Sequence, residues 1–333
     1  MNRNIAIIGC GLWGRNLVRN FYNLQSLHCV CDLDPENLEF IQKNYPDVRC
    51  GSSIEYILNT KEIEGVIVAT PSHTHYGLVK TLLLAGKNVY VEKPIATASE
   101  EALELMNLAD EKEKVLMVGH LLMYHPVVNR LRTIIAEGTL GDIKYVQSDR
   151  LNINYFRNDT SVMWDLAPHD LSMISYVLGK SPIGIKSAVG VSGDDRGFID
   201  MVHIDLNYPD GIQAHISNSW IYPAKRVVLL VRGTKATAVL DDANPTNKLM
   251  IYDNYSQEAK AINEEFIEIE PLKLECQHFL DCIKKQQKAR SDGFNGFETV
   301  RILEEAEKIM LGSNYNKIKD IKLASSRRKN VVK

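Results

Sequence analysis

The sequence predicts an α/β domain built on a doubly wound parallel sheet, followed by an α+β domain with a mostly antiparallel open sheet. Up to about residue 120, short apolar runs alternate with helical stretches, which is typical of parallel βαβ units. Beyond that point the strand signals follow one another directly. A length of 333 residues suits about two domains. We place them at residues 1–120 and 121–333, with a late helix packing back on the first.

The first domain is predicted from apolar runs that are separated by stretches with helical spacing. The predicted strands cover residues 4–8, 27–31, 65–69, 88–91 and 115–118, and the predicted helices cover 12–22, 35–45, 76–85 and 101–112. Proline suits a first helical turn, as at Pro35, and glycine suits a helix end, as at Gly86. The sequence Thr97-Ala-Ser-Glu100 resembles a capping box ahead of the last of these helices.

The second domain is predicted from alternating polar and apolar residues. This alternation covers residues 201–208 and 212–218, and Pro209-Asp210-Gly211 between them predicts a hairpin turn. Further strands are predicted from residue 143 and over 226–233 and 237–240, and helices over 126–137, 274–286 and 297–311. Strands with this period form a sheet that has one polar face.

The composition excludes several classes of function. The formal net charge is −3, from 39 basic and 42 acidic residues, so a basic face for nucleic acid is not expected. Apolar segments long enough to span a membrane are absent from the sequence, and the N-terminus lacks the pattern of a signal peptide. The six cysteines show neither a disulfide nor a zinc pattern. We therefore expect a cytoplasmic protein with reduced core cysteines that binds neither nucleic acid nor membranes.

A glycine-rich turn lies between the first predicted strand and helix. Gly9-Cys10-Gly11-Leu12-Trp13-Gly14 fits the dinucleotide-binding fingerprint G-x-G-x-x-G, which requires this strand–turn–helix context. The first glycine allows the tight turn, the second lets the backbone approach a pyrophosphate, and the third allows close packing of helix and strand. The helix N-terminus offers N–H groups to the phosphates. These features predict a Rossmann domain, and the alternative is a purely structural glycine turn.

An aspartate ends the second predicted strand. The Asp32 carboxylate can accept hydrogen bonds from the adenosine ribose hydroxyls and would repel a 2′-phosphate. The residues that follow it directly, Leu33, Asp34 and Pro35, include no arginine. The sequence therefore favours NAD as the cofactor over NADP.

Two polar segments follow the next strands at the same predicted edge of the sheet. The segment from Thr70 through Pro71 to His75 follows residues 65–69, and Glu92-Lys93-Pro94 follows residues 88–91. Open α/β sheets bind ligands at this carboxyl edge. A lysine that loses solvent in such a crevice is suited to proton transfer, and the alternative for Lys93 is an ion pair with Glu92.

A D-x-x-x-H pair lies in the predicted second domain. Asp165 and His169 share one face if the segment is helical, although Pro168 predicts a helix that starts late. An aspartate beside a histidine can orient the imidazole and tune its proton affinity. The alternative is a buried structural histidine.

In their order and spacing, these motifs resemble the Gfo/Idh/MocA oxidoreductases over nearly the whole chain. The resemblance implies an NAD(P)-dependent sugar or cyclitol dehydrogenase with a Rossmann domain and an open-sheet substrate domain. It implies that Lys93 and His169 form the acid/base pair and that Asp165 assists them or holds the substrate. It also implies that the cofactor is lined by the glycine turn, including Leu12 and Trp13, and by Asp32, Thr70, Pro71, His75, Glu92 and Lys93. Pro94 is expected to follow a strained or cis peptide bond.

A narrower resemblance concerns the substrate. The segments VGHLLMYHP, GDIKYVQSDRLNI and MWDLAPHDLSM resemble the subgroup associated with nucleotide sugars for surface polysaccharides. It implies oxidation of the C3 hydroxyl of UDP-N-acetylglucosamine. Arginine guanidinium groups bind phosphate oxygens well, so arginines near the site could hold the diphosphate of the substrate. The alternative is that these arginines lie at a solvated or ion-paired strand edge. The expected substrate-binding residues are His120, Tyr124, Arg150, Asn152, Tyr155 and Arg157.

Other functions stay open at this point. The substrate could be a free sugar, a sugar phosphate or an inositol, and a protein of another class would be a non-catalytic NAD-binding sensor. The resemblance implies a homo-oligomer, a dimer or tetramer formed through the second sheet. No metal site is expected, because His73/His75 and His120/His125 are not joined by a carboxylate or thiolate pattern.

Overall fold

The chain forms two compact units in a computed structural model that describes residues 3–153, 160–193, 199–254, 259–261 and 269–312. The first unit takes the described residues up to Tyr124 and those from 269 to Val300. The second takes the described residues from His125 to Ala261 and those after Val300. Part of the carboxyl-terminal helical region therefore belongs to the first unit.

The first unit contains a six-stranded sheet in which every neighbouring pair is parallel. Its strands are β1 (Ile5–Ile8), β2 (Leu27–Cys31), β3 (Arg49–Gly51), β4 (Gly65–Val68), β5 (Asn88–Glu92) and β6 (Leu116–Gly119). The order β3-β2-β1-β4-β5-β6 reverses direction between β1 and β4. Ligands bind at the carboxyl ends of the strands at such a switch point. The prediction of a doubly wound parallel sheet is confirmed.

The second unit contains an eight-stranded sheet with the order β14-β13-β12-β11-β7-β10-β9-β8. Its strands are β7 (Ile143–Ile153), β8 (Gly184–Val191), β9 (Met201–Asn207), β10 (Gln213–Ser219), β11 (Ile221–Gly233), β12 (Ala236–Asp241), β13 (Leu249–Asp253) and β14 (Ala259–Ala261). All neighbouring pairs are antiparallel except β7 with β10. In β9, buried Val202, Ile204 and Leu206 alternate with partly exposed residues, which confirms the predicted pattern.

Helices flank both sheets. They are α1 (Gly14–Asn23), α2 (Pro35–Asn44), α3 (Glu55–Asn59), α4 (His75–Leu84), α5 (Ser99–Glu111), α6 (Pro126–Ala136), α7 (Val162–Leu178), α8 (Pro271–Lys285) and α9 (Gly293–Leu311). Among the helices of the described residues, none is long and apolar enough to cross a membrane.

Helix α8 packs against the first sheet, although it lies far from the sheet in sequence. The Phe279 ring lies 5.8 Å from the Tyr90 ring on β5, in an edge-on arrangement. A Cβ atom on Gly65 would lie 2.6 Å from Ile283 and 3.0 Å from Phe279, so glycine at that position permits the close approach. This packing places one face of α8 next to the strand that leads into Glu92.

Two local predictions were wrong. The residue that caps α5 is Ala98, without a side-chain hydrogen bond, so Thr97 and Glu100 do not form a capping box. The helix starts at Ser99, which puts Glu100 one position too early in the first turn for that motif. Pro168 does not delay α7, which begins at Val162 and contains the proline. The first turn closes before the proline, since the Asp165 N–H donates to the Ser161 carbonyl at 3.1 Å.

Candidate active site

The glycine turn after β1 has the geometry of a phosphate cradle. Gly9 has a φ of 93°, and a Cβ there would lie 2.6 Å from the Ala69 carbonyl oxygen. A Cβ on Gly14 would lie 2.2 Å from the Gly9 carbonyl oxygen, so α1 packs directly on the turn. A Cβ on Gly11 would meet nothing within 4 Å, so the backbone faces open space there. The turn therefore leaves room for a bound anion beside Gly11.

The side chains within the turn are presented outward. Leu12 is 89% exposed and Trp13 is 43% exposed, so both large apolar side chains face solvent. The Trp13 indole N–H donates to Glu92 Oε1 at 2.6 Å. This bond joins the glycine turn to the end of β5, a contact that the sequence did not predict.

Asp32 is held as an anion at the end of β2. Its carboxylate accepts hydrogen bonds from the Cys10 N–H at 2.6 Å, the Asp34 N–H at 2.9 Å and the Asn37 side-chain amide at 3.3 Å. Partial burial would raise the pKa of Asp32, but the hydrogen bonds, chiefly those from backbone N–H groups, outweigh it and lower the pKa. The negative charge is therefore fixed next to the glycine turn.

An arginine lies in the same region, although it precedes Asp32 in the sequence. The Arg15 side chain donates to Asn37 Oδ1 at 3.2 Å, and its guanidinium lies 3.9 Å from the centre of the Phe40 ring. The sequence argument considered only residues after Asp32 and therefore missed Arg15. Arg15 lies in the first turn of α1, from which its side chain reaches α2. Its position directly after Gly14 is the sequence signal that could have placed it near the glycine turn.

His75 joins the loops that follow β4 and β5. Its ring lies between two carbonyl oxygens, with Nδ1 2.7 Å from Pro94 O and Nε2 2.8 Å from Thr70 O. Thr70 Oγ1 lies 2.6 Å from Thr74 Oγ1. Burial lowers the pKa of His75, against the opposing effect of the two carbonyls. Because both ring nitrogens face the backbone, His75 holds the two loops together at the carboxyl edge of the sheet.

Glu92-Lys93-Pro94 follows β5 at the switch-point edge. The Lys93–Pro94 bond is cis, which confirms that expectation. Glu92 accepts hydrogen bonds from Trp13 at 2.6 Å and from the Tyr90 hydroxyl at 3.4 Å. Its removal from solvent raises its pKa even though Trp13 and Lys93 favour the anion. The pKa of Glu92 therefore depends on its burial and on its neighbours, one of which is Lys93.

His120 follows β6 and lies near the lysine. It is 1% exposed, and neither ring nitrogen has a hydrogen-bond partner within the part of the chain that the structure describes. Burial, with a smaller effect of the Lys93 charge, lowers the pKa of His120 to about 3, so the imidazole is neutral. Gly119, the preceding residue, lets the end of β6 lie close to Glu92, because a Cβ there would lie 2.8 Å from Glu92 Oε2.

Tyr124 lies deeper in the first unit. Its hydroxyl lies 2.9 Å from Ser291 Oγ, and that serine donates to the Val118 carbonyl at 2.7 Å. The Arg290 guanidinium lies 5.0 Å from the centre of the Tyr124 ring. The hydroxyl is therefore engaged inside the protein, and a contact between Tyr124 and substrate stays a prediction.

In the second unit, α7 carries the predicted D-x-x-x-H pair. Asp165 and His169 are both helical and partly exposed. A separation of four residues puts them on the same face of the helix, one turn apart. The next residue, Asp170, points away from this face and is completely buried. The helix therefore presents the pair together, as the spacing predicted.

The side chain of Arg150 on β7 forms an ion pair with that buried aspartate. Its guanidinium donates to Asp170 at 3.2–3.4 Å, and Asp170 also accepts from Ser148 at 2.8 Å and Asn218 at 2.7 Å. Arg150 therefore forms the ion pair that the sequence left open as the alternative to phosphate binding. Its buried partner, Asp170, holds the side chain within the second unit. Asn152 lies farther along β7 and is partly exposed. Tyr155 and Arg157 lie outside the described residues.

The first unit fits a dinucleotide. The open space at Gly11 and the anionic Asp32 provide places for a pyrophosphate and a ribose. Within the described residues, no group of three or more His, Cys, Asp or Glu side chains is arranged to hold a metal ion. The arrangement is suited to holding a nicotinamide cofactor near a lysine, a carboxyl group and a neutral histidine.

Comparison with protein-family models gives one assignment for both units. A model described as an oxidoreductase family with an NAD-binding Rossmann fold matches residues 3–120. A second model, described as the GFO/IDH/MocA C-terminal domain, matches residues 128–239.

The individual relatives differ in the substrates that their names give. The chain is 28% identical to UDP-N-acetylglucosamine 3-dehydrogenase of Acidithiobacillus ferrooxidans over 303 residues, covering 87% of this chain and 92% of the relative. A solved structure of that activity from the same organism, GnnA, has a TM-score of 0.81 at 25% identity, covering 92% of this chain and 96% of the other. Inositol 2-dehydrogenase of Rhizobium meliloti is 25% identical, covering 84% of this chain and 88% of the relative.

Proposed function

The chain belongs to the Gfo/Idh/MocA oxidoreductase family, and on that premise we propose that it is an NAD-dependent dehydrogenase of a nucleotide sugar. The specific reaction proposed is oxidation of the C3 hydroxyl of UDP-N-acetylglucosamine, in a cytoplasmic route to surface polysaccharide or another amino sugar. The observation that supports the chemistry is the position of Lys93 at the same sheet edge as the glycine turn and Asp32. We further propose that the active form is a homo-oligomer.

The chain's own residues would bind the cofactor and handle the proton. The nicotinamide dinucleotide, when bound, supplies the hydride acceptor. The turn from Gly9 to Gly14 and the N-terminus of α1 would hold the pyrophosphate, and Asp32 would accept from the adenosine ribose. Lys93 Nζ would take the proton of the substrate hydroxyl in oxidation and return it in reduction.

The second unit would supply the remaining groups. We propose that His169 is the other member of the acid/base pair and that Asp165 orients it or binds a substrate hydroxyl, as their shared helix face allows. Asn152, Tyr155 and Arg157 remain candidates for contact with the sugar or the diphosphate. The role of Arg150 would be to keep β7 and α7 together through Asp170.

The choice of substrate is supported by likeness to the Acidithiobacillus enzyme, which covers most of both chains. The likeness to inositol 2-dehydrogenase supports a second candidate, the oxidation of a cyclitol or a free sugar. A non-catalytic NAD-binding sensor is the third, and it would bind the cofactor without turnover. The three candidates differ in which compound, if any, reduces the cofactor.

A substrate panel separates these candidates. Purified protein with NAD⁺ is offered UDP-sugars, dTDP-sugars, sugar phosphates, free sugars and inositols, while formation of NADH is followed by absorbance. We expect turnover with UDP-N-acetylglucosamine and much less with N-acetylglucosamine itself. Turnover confined to inositols or free sugars would replace the proposed substrate, and NAD binding with no turnover on any compound would favour a sensor.

The proposed preference for NAD over NADP predicts a specific effect of replacing Asp32. Asp32→Ala removes charge-assisted hydrogen bonds, so NAD affinity should fall about tenfold or more. Binding of NADP should improve relative to NAD, because Arg15 remains while the repelling charge is gone. Titration of both cofactors by calorimetry measures this ratio.

The control is Asp34→Asn, which removes a neighbouring charge but retains a good cap for α2. It should leave the NAD/NADP ratio near the wild-type value. Adding Arg15→Ala to Asp32→Ala should abolish the gain in NADP binding. An unchanged ratio in Asp32→Ala would contradict the ribose assignment.

A further inference from the structure

Glu275 on α8 is a buried carboxyl group that the proposed chemistry has not used. Its side chain is 0% exposed, and within the described ranges neither carboxyl oxygen has a hydrogen-bond partner. An ionised carboxylate is strongly disfavoured in such surroundings, so the group takes its neutral form. Burial and the nearby Glu92 charge raise the pKa of Glu275 well above its usual range. Buried acids without partners are uncommon, and each calls for an explanation.

The surroundings of Glu275 connect it to the proposed cofactor site. Tyr90 and Glu92 are two residues apart on β5, so their side chains lie on the same face of the sheet. That face is covered by α8, because Phe279 packs on Tyr90 at 5.8 Å, one helical turn after Glu275. Tyr90 donates to Glu92 at 3.4 Å, and the pKa of Tyr90 is raised by burial and by both carboxyl groups.

Other ionisable groups around the pair do not supply a counter-charge to Glu275. From the turn after β6, Tyr124 is neutral, since burial and Glu275 raise its pKa. Cys276 on α8 is neutral for the same kind of reason. Arg19 on α1 is paired with Glu270 at 2.6 Å. Lys93 lies next to Glu92, and its charge favours the ionised form of that residue.

The two carboxyl groups therefore have unequal roles. Glu92 receives hydrogen bonds from Trp13 and Tyr90 and has Lys93 as its neighbour, all of which favour its anion. At Glu275 only the Tyr90 hydroxyl favours the anion, and burial together with the Glu92 charge outweighs it, so Glu275 retains a proton. The Glu92 charge acts on the buried Glu275, and two carboxyl groups that interact in this way titrate as a pair, with one proton held between them over a wide pH range.

We propose that Glu92 and Glu275 form a proton-storing pair behind Lys93, which takes up the proton that oxidation of the substrate alcohol releases. This rests on the proposed dehydrogenase function. With NAD⁺ bound and the pair ionised, the charged Lys93 first gives a proton to the pair and becomes neutral. The alcohol carbon then loses a hydride, which reduces NAD⁺ to NADH, and the alcohol oxygen loses its proton to the neutral Lys93 Nζ. The products are the ketone, NADH, the charged Lys93 and the protonated pair. Glu275 is a positioning residue, because it acts through Tyr90 and Glu92.

The charge of the bound cofactor should shift the protonation of the pair in a definite direction. A positive nicotinamide near Glu92 favours the more ionised pair, so binding of NAD⁺ promotes loss of the stored proton. NADH lacks that charge, so the pair regains its affinity for the proton. Binding of NAD⁺ should therefore release more protons than binding of NADH.

The existence of the stored proton is tested without cofactor or substrate. Infrared difference spectra of wild type and Glu275→Gln at neutral pH should show the carbonyl stretch of a protonated carboxylic acid in the wild type only. Glu270→Gln is the matched control, since Glu270 caps the same helix but is exposed and ion-paired, and it should keep the band. If Glu275→Gln does not fold, Glu275→Met and [¹³C]glutamate labelling of the wild type identify the band. Absence of the band in the wild type would overturn the proposal.

The coupling to the cofactor is tested by calorimetry. Titrations with NAD⁺ and with NADH in buffers of different ionisation enthalpy give the protons released by each. We expect an excess for NAD⁺ in the wild type and in Glu270→Gln, and equal release in Glu275→Gln. An excess that persists in Glu275→Gln would overturn the storage role. If neither cofactor binds, the proposed function fails while the infrared result on Glu275 stands.

Discussion

Lys93→Ala is expected to lower kcat by about a thousandfold, because removing a general acid/base usually costs two to four orders of magnitude. The dissociation constant for NAD should change little, since the glycine turn and Asp32 provide the proposed contacts with the pyrophosphate and ribose. Lys93→Arg should be similarly inactive, because arginine keeps the positive charge but does not release its proton at working pH. Steady-state kinetics together with NAD titration separates the two effects.

The matched control for Lys93 is Lys80→Ala. Lys80 is a half-exposed lysine of α4 that pairs with Glu104 at 2.6 Å, and surface pairs of this kind contribute little to stability. This variant should keep both kcat and NAD affinity. A kcat near the wild-type value in Lys93→Ala would remove Lys93 from the reaction and leave His169 as the candidate base.

Gly11→Ala is expected to weaken NAD binding by about tenfold or more while leaving Tm unchanged, since a misplaced group at a phosphate contact costs at least one charge-assisted hydrogen bond. The added methyl group would meet no protein atom within 4 Å, so the fold accepts it. It would project into the space that the proposed pyrophosphate occupies. Thermal unfolding and NAD titration of the same sample measure both quantities.

Two other glycine variants serve as comparisons for Gly11→Ala. Gly14→Ala would place a Cβ 2.2 Å from a backbone oxygen, so we expect a lower Tm along with loss of binding. Gly77→Ala on α4 adds a methyl group in open space away from the turn, and helix propensity predicts an equal or higher Tm with normal NAD binding. Wild-type affinity in Gly11→Ala would contradict the assignment of the turn.

Local patterns in the sequence were sufficient to predict most of the fold. The period-two alternation of Val202, Ile204 and Leu206 identified a half-buried strand because side chains alternate between the two faces of a sheet. The glycine turn was predicted from a motif whose backbone requirements are local, whereas the cis bond before Pro94 was expected only from the family resemblance. Short elements such as β3 and α3 were missed, since a few residues carry too little periodicity.

Long-range partners were not predictable in the same way. The sequence could not reveal whether Arg150 faces a phosphate or Asp170, because both interactions suit a strand arginine and the choice depends on how α7 packs on β7. Arg15 approaches Asn37 only through the packing of α1 and α2. Glu275 is a polar residue in an otherwise apolar helix face, and its relation to Glu92 follows from where α8 docks on the sheet.

The central claim, that this chain transfers a hydride from a nucleotide sugar to NAD, is tested most directly with an isotope. Purified protein is incubated with NAD⁺ and UDP-N-acetylglucosamine carrying deuterium at C3, with hydroxylamine present to trap the ketone. Mass spectrometry of the reduced cofactor then reports where the hydride came from. The proposed function predicts deuterium-labelled NADH together with a trapped ketone on the sugar; unlabelled NADH, or none, would contradict it.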